Sequence, residues 1–171
     1  LRCKAELDDE GRWRITGQKI FITSGHGKYH FVIARTEEAS GPDDPRAGLG
    51  GLSMFLVPTY EEVDGERRWL ATVDRIEDKL GHHASATVQI SFERTPAHLI
   101  GERGEGFQHM FTMMNNARLG VGFECIGLCE AAIRSAAGYA AERGSMGKTI
   151  DWHEIVADYL DEMRTDVQAL R

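Results

Sequence analysis

The sequence predicts an α+β protein, an antiparallel β-sandwich or barrel followed by two long helices that form part of a larger helical bundle. Three observations carry this reading. Up to about residue 100 the chain is a series of short runs rich in Val, Ile, Phe and Thr, separated by polar, Gly- and Pro-bearing stretches. From Gly106 to Arg143 no proline occurs, and apolar residues recur every three or four positions. After a break at "GSMGKTI", a second amphipathic stripe runs to the end of the chain.

The elements follow in order. "GRWRITGQKIFITSG" carries Trp13, Ile15, Ile20, Phe21 and Ile22 on either side of Thr16-Gly17, which reads as a hairpin with a two-residue turn. Tyr29 to Thr36, Gly51 to Thr59, Arg68 to Ile76 and Ser85 to Glu93 read as further strands. "EEASGPDDPRAGLGG" and "YEEVDGER" have the composition of surface loops. Five or six such strands suggest a sandwich or barrel over residues 1–102, with the helical part over 103–171. The first helix places Phe107, Phe111, Met114, Val121, Cys125, Cys129, Ala132, Ala136 and Tyr139 on one stripe. Trp152, Ile155, Val156, Tyr159, Leu160, Met163, Val167 and Leu170 trace the second helix. Gly120 and Gly127 lie opposite the first stripe, and each costs roughly 1 kcal/mol against alanine in a helix interior. That cost implies close neighbours which one further helix does not supply, so the rest of a bundle is expected outside these residues. The start at Leu1 likewise suggests a piece of a longer polypeptide.

Bulk properties narrow the function. The 171 residues are 42% hydrophobic and 27% charged, which is ordinary globular composition. A net charge of -7 with 20 scattered Lys and Arg argues against nucleic acid. No run of about 18 apolar residues and no secretory leader is visible, so no membrane span and a cytoplasmic location are expected. The three cysteines suggest reduced thiols rather than a disulfide framework. His26, His30, His82-His83 and Cys125 with Cys129 lack an accepted ligand spacing, so no metal is expected.

"MFTMMNNARLG" sets Arg118 at the centre of the first helix's stripe, with Asn115 one turn earlier. A buried guanidinium needs a carboxylate, a bound anion or water, because leaving it unpaired costs several kcal/mol, on the order of a lost ion pair. Spacing alone favours an internal acid. "GERGEG" precedes a helix N-terminus but lacks the Lys-Ser/Thr of a phosphate loop, and reads as a strand-to-helix turn. "FITSG" ends a strand with a ring and two hydroxyls, which suits either a flat ligand or a turn.

"WRITGQKIFITSG", "IEDKLGHHASAT", "LIGERGEGFQHMFTMMNNARLGVG" and "YAAERGSMGKTI" together, in this order, resemble the acyl-CoA dehydrogenases. "MFTMMNNARL" further resembles the methylmercaptopropionyl-CoA dehydrogenase branch. The resemblance implies a middle β domain and the first helices of a C-terminal four-helix bundle, FAD as cofactor and α,β-dehydrogenation of an acyl-CoA thioester. It also implies electron-transfer flavoprotein as electron acceptor and a homo-oligomer. Phe21, Ile22, Thr23 and Ser24 then bind FAD, with Phe21 at a frequent tryptophan position against the flavin ring and Ser24 in place of a common asparagine. Arg143 matches an arginine that reaches the FAD pyrophosphate of a neighbouring subunit, and Ser145 stands at a threonine position, with Met146 in place of the usual phenylalanine. Ser85 matches a serine near the CoA moiety, and His83 replaces a common arginine there. Asn115, replacing a frequent aspartate, and Arg118 match a pair lining the acyl-CoA channel. The glutamate that acts as base in the family has no counterpart here and is expected beyond Arg171. A non-catalytic binding or oligomerisation module on the same fold is the alternative.

Overall fold

The computed structural model describes residues 3–171 and divides into two compact units, one ending at Met113 and the other spanning Met114–Arg171. The first unit is a mixed β-barrel. Its strands are β1 (Lys4–Leu7), β2 (Trp13–Thr23), β3 (Tyr29–Arg35), β4 (Leu52–Pro58), β7 (Ala71–Ile76) and β8 (Thr87–Ile100). The sheet order is β2-β1-β3-β4-β8-β7, and a further β2–β8 pairing closes the ring. A separate hairpin joins β5 (Tyr60–Val63) to β6 (Glu66–Trp69). The α+β class is as expected, but the barrel is not purely antiparallel, because β1 pairs with β3 in parallel through Lys4 and Arg35.

The core follows from period-two alternation. Buried residues alternate along β3 and through the first half of β8, so Val32, Ala34, Val88, Ile90 and Phe92 face inward with Ile15, Phe55 and Val57. Phe55 is fully buried and meets Trp13 edge-to-face at 5.3 Å. Burial of each such side chain stabilises the fold by about 1.5–3 kcal/mol.

Several boundaries differ from the sequence expectation. Thr16-Gly17 is not a turn, since β2 runs unbroken through it. The register to β8 shifts here by a β-bulge on β8, where Glu93 and Arg94, the latter left-handed at φ 47, stand opposite Thr16, with Gly17 at φ 138 beside them. The hairpin turn lies earlier, at Asp8 to Gly11, where the Asp8 carboxylate accepts N–H groups from Glu10 at 3.1 Å and Arg12 at 2.8 Å. "YEEVDGER" is the β5–β6 hairpin rather than a loop. Asp64 and Gly65, both left-handed, form its tip. The run from Arg68 to Ile76 divides at Leu70, whose N–H donates to the Thr59 carbonyl at 2.8 Å. β8 continues past Glu93 through Pro96 to Ile100.

The chain leaves β8 through "GERGEG", the expected strand-to-helix turn. Gly104, at φ 87, donates its N–H to Ser53 Oγ at 2.9 Å. A methyl on Gly106 would lie 2.5 Å from the Ser53 carbonyl carbon, so only glycine lets helix α1 (Gly106–Glu142) start against β4.

In the second unit α1 continues without a break to Glu142. Its end leads into a two-residue hairpin, β9 (Gly144–Ser145) and β10 (Lys148–Thr149), and then into α2 (Glu154–Leu170). Met146 and Gly147, both left-handed, form the hairpin tip. Ala140, Leu160 and Val167 are the buried apolar residues of this unit, and a Glu130–Arg171 ion pair bridges α1 to the end of α2. Much of the apolar stripe is open: Phe111 is 38% exposed, Val121 56% and Tyr139 62%. A Cβ at Gly120 or Gly127 would meet nothing within 4 Å. No helix among the described residues is long and apolar enough to cross a membrane.

Candidate functional site

The end of β2 departs from regular strand geometry where the sequence places its aromatic and hydroxyl residues. Between Lys19 and Ile22 the register to β8 shifts, so Ile20 and Phe21 form a bulge. Phe21 sits at φ 56, a conformation that costs a non-glycine residue about 1–2 kcal/mol. The bulge turns its ring outward, and Phe21 is 66% exposed. Ile22 returns to the barrel core, while Thr23 pairs with Thr87. Ser24 is also left-handed, at φ 55, and its hydroxyl lies 3.1 Å from that of Ser85. The structure therefore brings together Phe21, Ile22, Thr23, Ser24 and Ser85, which lie about sixty residues apart in two sequence motifs.

This corner is held tightly. Gly25 donates its N–H to the Ala86 carbonyl at 3.1 Å, and a methyl on Gly25 would lie 2.0 Å from Val88 Cγ2. Gly25 is a residue that sequence reasoning missed, since its role depends on the β2–β8 register and not on any local spacing. Thr59 Oγ1 donates to the carbonyls of Gly27 and Lys28 at 2.7 and 3.1 Å, anchoring the turn that follows. His30 is buried behind that turn, and burial pushes its pKa down against the opposing pull of the Gly25 and Gly27 carbonyls. Lys19 is also held at lowered pKa by desolvation, with its ammonium donating to the Ile33 carbonyl at 2.7 Å.

The remaining predicted residues lie in the helical unit. Arg118 donates to Asn115 Oδ1 at 3.4 Å, so these two are neighbours as their spacing implied. The expectation of a buried guanidinium fails, because Arg118 is exposed. Its stripe is buried only where other elements cover it, and helical periodicity does not say which elements those are. Arg143 and Ser145 both lie at the α1-to-β9 junction. The Arg143 N–H donates to the Tyr139 carbonyl at 2.9 Å, and its own carbonyl accepts from Ile150 at 2.9 Å. The Ser145 carbonyl lies 3.2 Å from His153 Nε2. Cys3, Cys125 and Cys129 are free thiols.

The model of the family described as acyl-CoA dehydrogenase, C-terminal domain, matches residues 104–171. A 3-methylmercaptopropionyl-CoA dehydrogenase of Ruegeria pomeroyi is 38% identical over 84% of this chain and 25% of its own length. The chain belongs to the acyl-CoA dehydrogenase family. Its fold agrees with the butyryl-CoA dehydrogenase structure of Megasphaera elsdenii at a TM-score of 0.82 and 27% identity, covering 98% of this chain and 41% of that one. A chain in a structure described as the electron transferring flavoprotein of Acidaminococcus fermentans aligns with a TM-score of 0.80 and 28% identity over 98% of this chain and 41% of its own. The acyl-CoA dehydrogenase segment thus spans between a quarter and about two fifths of the length of such relatives.

Proposed function

We propose that a full-length polypeptide carrying residues 1–171 is an FAD-dependent acyl-CoA dehydrogenase that removes an α proton and a β hydride from an acyl-CoA thioester. The convergence of Phe21–Ser24 with Ser85 carries this reading. An outward-facing ring, held by a bulge beside two hydroxyls 3.1 Å apart, is a fitting edge for a flat isoalloxazine with a polar ligand beside it. The flavin, when bound, supplies hydride acceptance.

The residues divide the work by chemistry. Phe21 offers a stacking face, and Ile22 fixes that face to the core. Thr23 and Ser24 offer a hydroxyl and backbone polar groups to the flavin edge. Ser85 meets the CoA moiety, and Asn115 and Arg118 line the acyl-CoA channel, the exposed guanidinium suiting an anionic or carbonyl-bearing ligand. Arg143 and Ser145 reach the FAD pyrophosphate of a neighbouring subunit, which makes the protein a homo-oligomer. In this reading residues 1–102 are the middle β domain and 103–171 the first helices of a four-helix bundle. The open faces of α1 support further helices packing there. The base glutamate lies outside residues 1–171, so this segment alone is inactive. The 38% identity to the Ruegeria pomeroyi protein supports the methylmercaptopropionyl-CoA branch. Electron-transfer flavoprotein is the electron acceptor, a role in keeping with the Acidaminococcus fermentans match. A cytoplasmic place in acyl-CoA oxidation completes the reading.

Purification of the full-length polypeptide tests the cofactor. A yellow protein with a flavin spectrum and about one FAD per subunit is expected; a colourless protein that acquires no flavin band when FAD is added would overturn the reading.

A further inference from the structure

The loop between β7 and β8 carries Ser85, and it is organised by a lysine that no part of the proposed chemistry uses. Its neck is closed by Glu77 N–H donating to the Thr87 carbonyl at 2.8 Å. Inside the neck the half-buried Lys79 turns its ammonium inward, donating to the His82 carbonyl at 2.7 Å and the Ser85 carbonyl at 2.5 Å. A third bond, Ser85 N–H to the His82 carbonyl at 3.2 Å, makes a tight turn of residues 82–85, in which His82 is left-handed at φ 56. On the far side of the loop, Ser85 Oγ meets Ser24 Oγ at 3.1 Å, and Ala86 accepts from Gly25.

Apart from the neck bond, each link in this arrangement ends on His82, Ser85 or Ala86. A charged donor bonded to two carbonyls makes stronger hydrogen bonds than neutral donors, and a lysine has the three protons needed to serve both. With the ammonium removed, the His82 carbonyl loses its charged donor, and the Ser85 carbonyl loses the partner that ties it to the start of the loop. The strained His82 backbone then has less to hold it. The Ser85 hydroxyl would lose its fixed position against Ser24.

We propose that Lys79 is a positioning residue for the acyl-CoA ligand: its ammonium fixes the 82–85 turn and thereby presents the Ser85 hydroxyl, together with Ser24, to the thioester-bearing molecule. The inference rests on the assignment of Ser85 to acyl-CoA binding. Lys79 itself touches no ligand in this scheme and acts through Ser85.

The test uses the full-length, FAD-loaded polypeptide with butyryl-CoA and 3-methylmercaptopropionyl-CoA as probes. Lys79→Met should raise KM for the better probe about tenfold, the scale of losing hydrogen bonds to a charged donor, while kcat and flavin content change far less. Lys79→Gln, which keeps one donor, should fall between. Ser85→Ala should weaken binding to a similar extent, and adding Lys79→Met to it should cause little further loss, because both act through one hydroxyl. If Ser85→Ala weakens binding and Lys79→Met does not, or if the two losses multiply, the positioning role is wrong while the site assignment stands. If Ser85→Ala leaves KM unchanged, the site assignment itself fails, and the role of Lys79 with it. Should Lys79→Met not fold, the same comparison with Lys79→Gln decides, since an unchanged KM there also overturns the proposal.

Discussion

Gly25→Ala probes whether the β2 corner is as close to β8 as the structure has it. The added methyl would lie 2.0, 2.7 and 2.9 Å from Val88 Cγ2, Cγ1 and Cβ, where ordinary van der Waals contact begins at 3.4 Å. Val88 is 2% exposed and surrounded by core residues, so it has little room to rotate away. Overpacking of this kind costs about 1–3 kcal/mol. Because the two closest atoms are the Val88 methyl groups, truncating that side chain should relieve most of the clash and leave only the 2.9 Å approach to Cβ. Val88→Ala alone removes two buried methyl groups and should cost about 2 kcal/mol. The double variant should then be more stable than the two single losses predict, with a coupling of at least about 1 kcal/mol. Urea unfolding of the full-length polypeptide, followed by circular dichroism at constant m-value, measures all four corners of the cycle. A Gly25→Ala protein with an unchanged midpoint, or strict additivity with Val88→Ala, would refute the packing described for this corner.

Three further perturbations separate ligand roles from structural ones. Phe21→Gly removes an exposed ring from a left-handed position that glycine adopts freely, so stability should hold or rise by up to about 1 kcal/mol while flavin affinity falls; a Phe21→Gly protein that binds FAD as tightly as the parent in a fluorescence titration speaks against a stacking role. Arg118→Ala acts on an exposed side chain and should shift stability by no more than about 0.5 kcal/mol yet weaken acyl-CoA binding; isothermal titration showing the reverse would return Arg118 to a structural part. His30 titrates below its ordinary value because it is buried, so its folded pKa is depressed relative to the unfolded one of about 6.5. The stability tied to its neutral form is therefore fully present above that pH and is lost as pH falls toward the folded pKa. Urea midpoints at pH 7.5 and 5.5 should differ more for the parent than for His30→Gln, and equal pH dependence in both would contradict the burial assignment.

The class of fold was legible because its signals are local. Val-, Ile- and Phe-rich runs and a proline-free stretch of three-and-four spacing mark strands and helices without knowledge of their partners. Register and exposure are not local. Thr16-Gly17 has the composition of a turn, but the flanking residues of β2 pair with β8 on both sides, so the dipeptide stays in the strand opposite a bulge at Glu93 and Arg94. "YEEVDGER" was hidden as a hairpin because both of its strands are largely solvent-facing and show no apolar alternation, although Asp64-Gly65 is a turn pair. Pro96 within β8 disguised a strand that runs on to Ile100. The stripe around Arg118 has the right period for burial, yet period identifies a face and not what covers it. At the candidate site, Phe21 to Ser24 and Ser85 were named from two separate motifs, and only the sheet pairing puts their hydroxyls 3.1 Å apart. Gly25 and Lys79 had no sequence signal of their own, because what they do depends on close contacts made by the chain after folding.

The central claim, that this segment is part of a flavin-dependent acyl-CoA dehydrogenase, is tested most directly by mixing the full-length, FAD-loaded polypeptide anaerobically with a saturated acyl-CoA in a stopped-flow spectrometer. The flavin absorbance should bleach as the α,β double bond forms, with enoyl-CoA appearing in equal amount. A bound flavin that stays fully oxidised with every saturated acyl-CoA offered, the 3-methylmercapto thioester included, would contradict it.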